Sequence, residues 1–295
     1  MEERLRRCLG PFDCLMTDGP GAAIDLAHAA ARGGAERVVA VGGDGTINEV
    51  LNGLLAAEAR HGVSPAMGIL HCGTGGDLRR SLGIPANLDQ AAQVIADHRT
   101  RRLDVGQVTF HVGPDQTASR YFAILASFGI AAAICKHAAR APAGLNGKLA
   151  FLWATLRALP SYRDQGVVMR WTDSTPAIET KTLKAFVLTN GPYCGGGMHL
   201  APTASLDDGL MNAVSIEHLS LMRSFWELPR IYSGRLFELP QVTQRVTRQL
   251  TAEPAVAGER VELEIDGEVV GTLPATFRVC PRAIAVIAPA DVGLG

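Results

Sequence analysis

Apolar positions follow one period in the first third of the chain and another in the rest. Val38-Val39-Ala40-Val41 is a short apolar run, mostly β-branched, as expected of a strand buried on both faces. It breaks at Gly42-Gly43-Asp44-Gly45, beyond which Ile47, Val50, Leu51, Leu54 and Leu55 recur at the spacing of one helix face. Similar units flank this one. Residues 13–17 read as a short strand, and residues 22–32 as an alanine-rich helix stopped by Gly33-Gly34. Residues 67–70 read as the next strand, 78–82 as a short helix ended by Gly83 and Pro85, and 88–97 as a longer helix. Strands alternating with helices predict a parallel sheet covered by helices.

From Leu103 the pattern changes. Strand-like runs recur at 105–112, 121–128, 166–171, 183–189, 210–216, 261–265, 275–279 and 283–287, separated by turn residues. Such a series predicts an antiparallel sandwich or barrel. Two helices interrupt it. One covers 147–159, with Leu149, Leu152, Trp153 and Leu156 on one face; the other covers 220–236 and breaks at Pro229. The expected fold is an α/β N-terminal domain with a parallel sheet, residues 1–103, followed by a larger, mainly antiparallel β-sandwich domain, residues 104–287.

Composition narrows the functional classes. Of 295 residues, 47% are hydrophobic and 19% charged, which is globular usage. A formal net charge of -1 gives no global basic field, so nucleic acid is not expected as a partner. Arg99, Arg101 and Arg102 can touch anionic lipid, although such a cluster is more often a solvated face. The six cysteines contain no Cys-x-x-Cys pair and so indicate neither zinc nor a redox motif. The start, Met-Glu-Glu-Arg-Leu-Arg-Arg, leads into no apolar signal core. The longest uncharged apolar run, 121–135, is too short and interrupted to span a membrane. The expectation is a cytoplasmic protein that visits a membrane surface peripherally and transiently; a homodimer is compatible with it.

The glycine loops carry the chemistry. A strand, a turn with three glycines and a helix N-terminus offer free amides to a phosphate. Asp44 stands where a phosphate-bound Mg²⁺ needs a carboxylate, and Thr46 can cap the helix or meet a phosphate oxygen. A plain βα turn explains the same glycines equally well. No Gly-Lys-Ser/Thr follows, so this is not a P-loop, and the Gly-x-Gly-x-x-Gly dinucleotide spacing is absent. A second loop, His71-Cys72-Gly73-Thr74-Gly75-Gly76-Asp77, also follows a predicted strand and should meet the first at one sheet edge. Ser205-Leu206-Asp207-Asp208-Gly209-Leu210 is either an oxygen-rich cation loop or an ordinary Asp-Gly turn. Residues 190–198 form a glycine-rich loop after a strand. Ile265-Asp266-Gly267-Glu268 is a hairpin signal, and Glu268 by itself reads as a solvated turn residue.

Taken in order, five stretches resemble the diacylglycerol kinase catalytic-domain family, specifically the bacterial lipid kinases. They are Gly42-Gly43-Asp44-Gly45-Thr46-x-Asn48-Glu49-Val50, Gly73-Thr74-Gly75-x-Asp77, Gly195-Gly196-Gly197-Met198, Leu206-Asp207-Asp208-Gly209-Leu210 and Asp266-Gly267-Glu268. The first alone is shared with NAD kinases and phosphofructokinases; the set is more specific. The resemblance implies a nucleotide domain, a lipid-substrate sandwich, an active site between them and a C-terminal segment, about 288–295, that returns to the first domain. It implies ATP contacts at Gly43, Asp44, Gly45, Thr46, Ile47, Asn48, Glu49 and Thr74, with a further one at Thr17. It implies a structural Mg²⁺ at Asp208 with the carbonyls of Ser205 and Leu210, and Glu268 as proton acceptor, with Asp44 a rival for that role. The implied reaction is transfer of the γ-phosphate of ATP to the hydroxyl of a diacylglycerol-like lipid. The chain departs from the family's usual pattern in three places: no Asn-Pro-x-Ser-Gly stretch precedes Thr17, Gly76 replaces Asn, and His71 replaces Pro. Two other readings remain: an NAD kinase or other small-molecule kinase, and a catalytically weak nucleotide- or lipid-binding protein lacking the first strand of the ATP site.

Overall fold

The computed structural model describes residues 2–290 except 114–115, 143–144, 146 and 174–175. Its first part runs α1 (Glu2–Leu9), α2 (Ala22–Arg32), β1 (Arg37–Gly42), α3 (Asp44–His61), β2 (Ala66–His71), α4 (Asp77–Ser81) and α5 (Leu88–Ala96). Then come β3 (Thr100–His111), β4 (Thr117–Phe122), β5 (Leu125–Gly129), α6 (Ile130–Ala138), α7 (Gly147–Ala158), β6 (Gln165–Trp171) and β7 (Ala177–Thr189). The chain continues through β8 (Tyr193–Cys194), β9 (Met198–His199), β10 (Met211–Glu217), α8 (Leu221–Trp226) and α9 (Leu228–Ser233). It ends with β11 (Val242–Thr247), β12 (Gln249–Pro254), β13 (Glu262–Ile265) and β14 (Glu268–Ile287).

β1 and β2 pair in parallel, as the first rhythm predicts, and Val286 near the end of β14 joins the far side of β2, also in parallel. The remaining strand pairs are antiparallel. Two cores result. One holds Ile47, Leu51, Met67 and Ile69 beneath the helices. The other holds Phe122, Phe128, Phe186 and Phe277 inside the sandwich, with Phe128 stacked on Phe186 at 4.5 Å. β3 and β14 belong to both halves. Their ladder runs from Thr272↔His111 to Ile287↔Thr100, so a division at residue 103 falls inside a continuous strand. The chain's return to the first sheet is made by β14; residues 291–295 of the expected returning segment lie outside the described residues.

Several local expectations need correction. Residues 13–17 form no strand; Leu15 and Met16 are exposed. A lone extended segment has no ladder to join, and β1 pairs with β2 alone among the described strands. Residues 121–128 are not one strand, because β4 ends at Phe122 and β5 begins at Leu125. The face bearing Leu149, Leu152 and Leu156 points outward, while Ala154 and Ala158 on the opposite side enter a small core with Ile130 and Ile134. β11 and β12, polar at alternate positions, were not expected at all.

Asp104, which no motif marks, is buried where β3 passes between the halves. Its carboxylate accepts from Gly209 N at 2.6 Å and Arg282 N at 2.7 Å, and its amide donates to Leu206 O at 2.7 Å. One side chain thereby fixes the 205–210 turn to β14. Asp104→Ala should destabilise the protein by about 2 kcal/mol, since two part-buried amides lose their acceptor and the 205–210 turn its tie to β14. Denaturant unfolding of parent and variant checks this.

Candidate active site

The parallel pairing matches Gly42 with His71, and Cys72 N donates to Gly42 O at 2.8 Å. Both glycine loops therefore leave the carboxyl edge at the same level, as the sequence predicted. Asp44, the first residue of α3, lies between them. Its Oδ2 accepts from Gly76 N at 2.8 Å. A Cβ at Gly75 would sit 2.1 Å from that oxygen, so this loop closes on Asp44 only as glycine. Asp44 Oδ1 is 3.7 Å from His71 Nε2, and both atoms are buried without a hydrogen-bond partner among the described residues. A buried carboxylate oxygen and imidazole nitrogen at that separation can each take a further charged or polar partner. His71, noted in the sequence only as a departure, is thus part of the site.

Asp77 begins α4 and is also buried. Arg80 Nη1 meets its Oδ1 at 2.5 Å, and Gly196 N donates to its Oδ2 at 2.7 Å. Gly195, Gly196 and Gly197 all have positive φ, at 57, 82 and 103°, which lets this loop turn its amides toward Asp77. Burial, helped by the Asp44 charge, holds the Asp77 carboxyl above its ordinary range, although the Gly196 amide and Arg80 oppose this.

The other wall comes from the β13–β14 hairpin. Ile265 pairs with Glu268 across Asp266 and Gly267, both at positive φ, the two-residue turn that the sequence signalled. The Asp266 carboxylate is enclosed, though the residue as a whole keeps some exposure. It accepts from Asn48 Nδ2 at 2.6 Å, Leu125 N at 2.8 Å and Ala123 N at 3.3 Å. Glu264 is buried with the Ser127 hydroxyl and Gly267 N as donors. Burial pushes both carboxyls up to about 7, against the pull of those donors.

The residues expected to contact ATP divide into two groups. Gly43, Asp44, Gly45 and Thr46 form the loop and first turn of α3, and Thr74 lines the cleft with Asp44 and Gly75. Ile47, Asn48 and Glu49 have other tasks. Ile47 is core, and its amide donates to Gly43 O. Asn48 donates to Asp266 and Tyr121 O. Glu49 accepts from Gly21 N at 2.8 Å and Ala23 N at 3.1 Å, capping α2, so its carboxylate is committed to structure. Thr17 is exposed in the segment before α2.

Glu268 lies just past Gly267, a cleft residue, but its carboxylate pairs with Arg120 at 2.9 Å and is nearly half exposed. In the 205–210 turn, Asp208 is exposed and its Oδ1 accepts from Leu210 N at 2.9 Å. Ser205 donates to Asp207, which Arg101 also engages. No group of three or more His, Cys, Asp or Glu suited to a metal occurs among the described residues.

A cavity of about 570 Å³ joins these parts. Asp44, Thr74, Asp77 and Asp266 line one end. Ile130, Ile134, Phe151, Leu159 and Ile231 line the other, where Lys184 is held by Asp164 at 3.0 Å. The cavity is therefore acidic at one end and mainly apolar at the other, with Lys184 the cation among its apolar residues.

Comparison with known proteins divides the chain into two parts. Residues 1–108 match the diacylglycerol kinase catalytic domain, and residues 125–288 match the YegS C-terminal NAD kinase beta sandwich-like domain. The chain belongs to the diacylglycerol kinase catalytic-domain family, with a YegS-type C-terminal domain. Its relatives carry the names of phosphotransferases acting on alcohols. The Chromohalobacter salexigens protein named "Probable lipid kinase YegS-like" is 34% identical over 210 residues, covering 70% of this chain and 62% of that protein. The match thus spans less than two thirds of that relative's length. The diacylglycerol kinase of Bacillus subtilis is 28% identical over 255 residues, covering 86% of this chain and 78% of that one. A diacylglycerol kinase structure from Bacillus anthracis str. Sterne aligns with TM-score 0.69 at 19% identity, over 97% of this chain and 88% of that one, and so shows the same fold.

The raised carboxyls give stability a definite pH dependence. An unfolded Glu ionises near its ordinary pKa, about 4.3, whereas Glu264 folded holds its proton to about 7. The folded state binds more protons in that window, so stability falls as pH rises through it. Glu264→Gln keeps an acceptor for Gly267 N and removes the titration. Its melting temperature relative to the parent should rise steadily from pH 4.5 to 7.5. A constant difference would mean that Glu264 does not titrate there.

Proposed function

We propose that the protein is an ATP-dependent lipid kinase that transfers the γ-phosphoryl group of ATP to the hydroxyl of a diacylglycerol-like lipid. The observation that carries this reading is one cavity lined by Asp44 and the glycine loops as well as by a mainly apolar set that includes Ile130, Ile134 and Phe151. The family's kinase names support it. The α3 N-terminus, Gly43, Gly45, Thr46 and Thr74 would hold the phosphates, with Thr17 a further nucleotide contact. Mg²⁺ bound with ATP would spread charge over the phosphates, and the unsatisfied Asp44 Oδ1 fits it. Asp208 with the Ser205 and Leu210 carbonyls is proposed to hold a second, structural Mg²⁺, Asp207 being engaged by Arg101. A lipid alcohol resides in a bilayer, so the protein meets a membrane surface peripherally.

The lipid oxygen bonds to the γ-phosphorus, the bond to the ADP oxygen breaks, and the hydroxyl proton passes to a carboxylate. Glu268 is proposed for that role. Its exposed pair with Arg120 is worth ~1 kcal/mol or less, so rotation toward the cleft costs little.

Radiolabelled ATP with diacylglycerol, sphingoid bases, phosphatidylglycerol and NAD as acceptors tests the assignment; label in NAD alone would overturn it. Asp44→Asn should lower turnover by at least ~10²-fold with an unchanged melting curve, because the group facing the developing charge is lost. Glu268→Gln should lower lipid-dependent kcat by ~10²-fold, the lower end for a lost general base, since the proton leaves late in a loose transfer. Parent-like kcat in that variant would pass the proton to Asp44.

A further inference from the structure

α7 is apolar on both sides. Ala154 and Ala158 face the core, while Leu152 and Leu156, 40% and 48% exposed, face outward. A helix that is hydrophobic all round is normally buried. Across the cavity, α8 presents Met222, Phe225 and Trp226, with Met222 and Trp226 about 70% exposed. Phe151 and Thr155 of α7, Ser224 of α8 and Ile231 of α9 line the same cavity, so its apolar end runs between the two exposed surfaces.

The stretches of chain that carry these surfaces are basic. From Ile130 to Arg163 the chain has no Asp or Glu but has Lys136, Arg140, Lys148, Arg157 and Arg163. From His218 to Trp226 it has Arg223 and again no acid. Arg140, Arg157, Arg163 and Arg223 are exposed, and Arg157 lies over the Trp153 ring at 5.3 Å. Acidic groups do stand nearby: Glu262 meets Lys136, and Glu227 pairs with Arg230 at 2.6 Å and more loosely with Arg223 at 3.9 Å. They offset those cations and leave Arg140, Arg157 and Arg163 without a counter-charge from their own stretch of chain.

We propose that α7 and α8 form a docking face for a bilayer surface containing anionic lipid. Leu152, Leu156, Met222, Phe225 and Trp226 enter the headgroup boundary, and the surrounding arginines meet lipid phosphates. Exposed apolar side chains ringed by cations match such a surface in both chemistry and sign. Docked in this way, the apolar end of the cavity faces the source of its substrate. The inference deepens the lipid-kinase reading, but its test requires no turnover.

Co-sedimentation with vesicles of phosphatidylcholine, with and without phosphatidylglycerol, measures the binding. The parent should bind the mixed vesicles at least ~10-fold more tightly, as expected for several arginines near an anionic surface. Leu152→Glu/Leu156→Glu should lower that binding by ~10-fold or more and leave the melting curve unchanged. As a second readout, brominated acyl chains should quench the parent's tryptophan fluorescence, and Trp226→Phe should lose much of that quenching. Equal vesicle binding by parent and double variant, or no binding by the parent, would overturn the proposal. So would a parent dimer in sedimentation that the double variant breaks, which would make this face a contact between copies. Absence of phosphate transfer to any lipid, with vesicle binding intact, would instead count against the kinase reading alone.

Discussion

Asp266 accepts from Asn48 of α3, and from the backbone at Ala123 and Leu125. Asn48 is one helical turn from Asp44, and Asp266 is one residue from Gly267 in the cleft wall. The position of the 42–46 glycine loop relative to the hairpin therefore depends on a part-buried hydrogen bond across the two halves. Asn52 extends it, donating to Tyr121 O and accepting from Tyr121 N. The shared β3–β14 ladder adds stiffness, because no flexible linker separates the halves. The cleft is held by backbone pairing on one side and by the Asn48–Asp266 contact on the other.

This arrangement concentrates acids. Asp44, Asp77, Asp266 and Glu264 all line the cavity, and the Asp44 charge pushes the Asp77 and Asp266 carboxyls upward. Four ionised carboxylates would repel a polyphosphate. The structure reduces the effect in two ways: Arg80 and the Gly196 amide meet Asp77, and burial favours the protonated forms of Glu264 and Asp266 near neutral pH. Asp44 is the member left with an unsatisfied oxygen. That oxygen is therefore open to a further partner, with His71 Nε2 3.7 Å away.

Features set by short-range spacing were legible in the sequence. The glycine loops, α3, the parallel pairing of the first strands and the Asp266-Gly267 turn all follow from local periodicity and turn chemistry. What depended on distant partners was not. Residues 13–17 have strand-like composition but no strand to pair with. Leu149, Leu152 and Leu156 have the spacing of a helix face, yet spacing does not say whether protein covers that face. Glu264 lies in an alternating run where a solvated carboxylate is expected, and its outward side is instead a cavity wall. Glu49 belongs to a motif read for phosphate, but caps α2 across 26 residues of chain. Asp104 joins three segments that only the fold brings together.

The two ends of the cavity impose different requirements on an acceptor. The acidic end admits a hydroxyl beside the phosphate loop, but offers nothing to a hydrocarbon. The mainly apolar end would reward an acyl chain at roughly 0.8 kcal/mol per buried methylene. A small water-soluble alcohol would gain only the first set of contacts. A long-chain alcohol gains both, provided its hydroxyl can reach Asp44 while its chain lies among Ile130, Ile134 and Phe151. Such a molecule is dissolved in a membrane rather than in water, so under the proposed function the energy of extracting it would enter each turnover. A face that enters the headgroup boundary reduces that cost, because the chain passes from bilayer to channel without crossing water. On this argument the exposed leucines of α7 and the acidic end of the cleft are parts of one requirement, imposed by an acceptor that is polar at the reacting atom and apolar elsewhere.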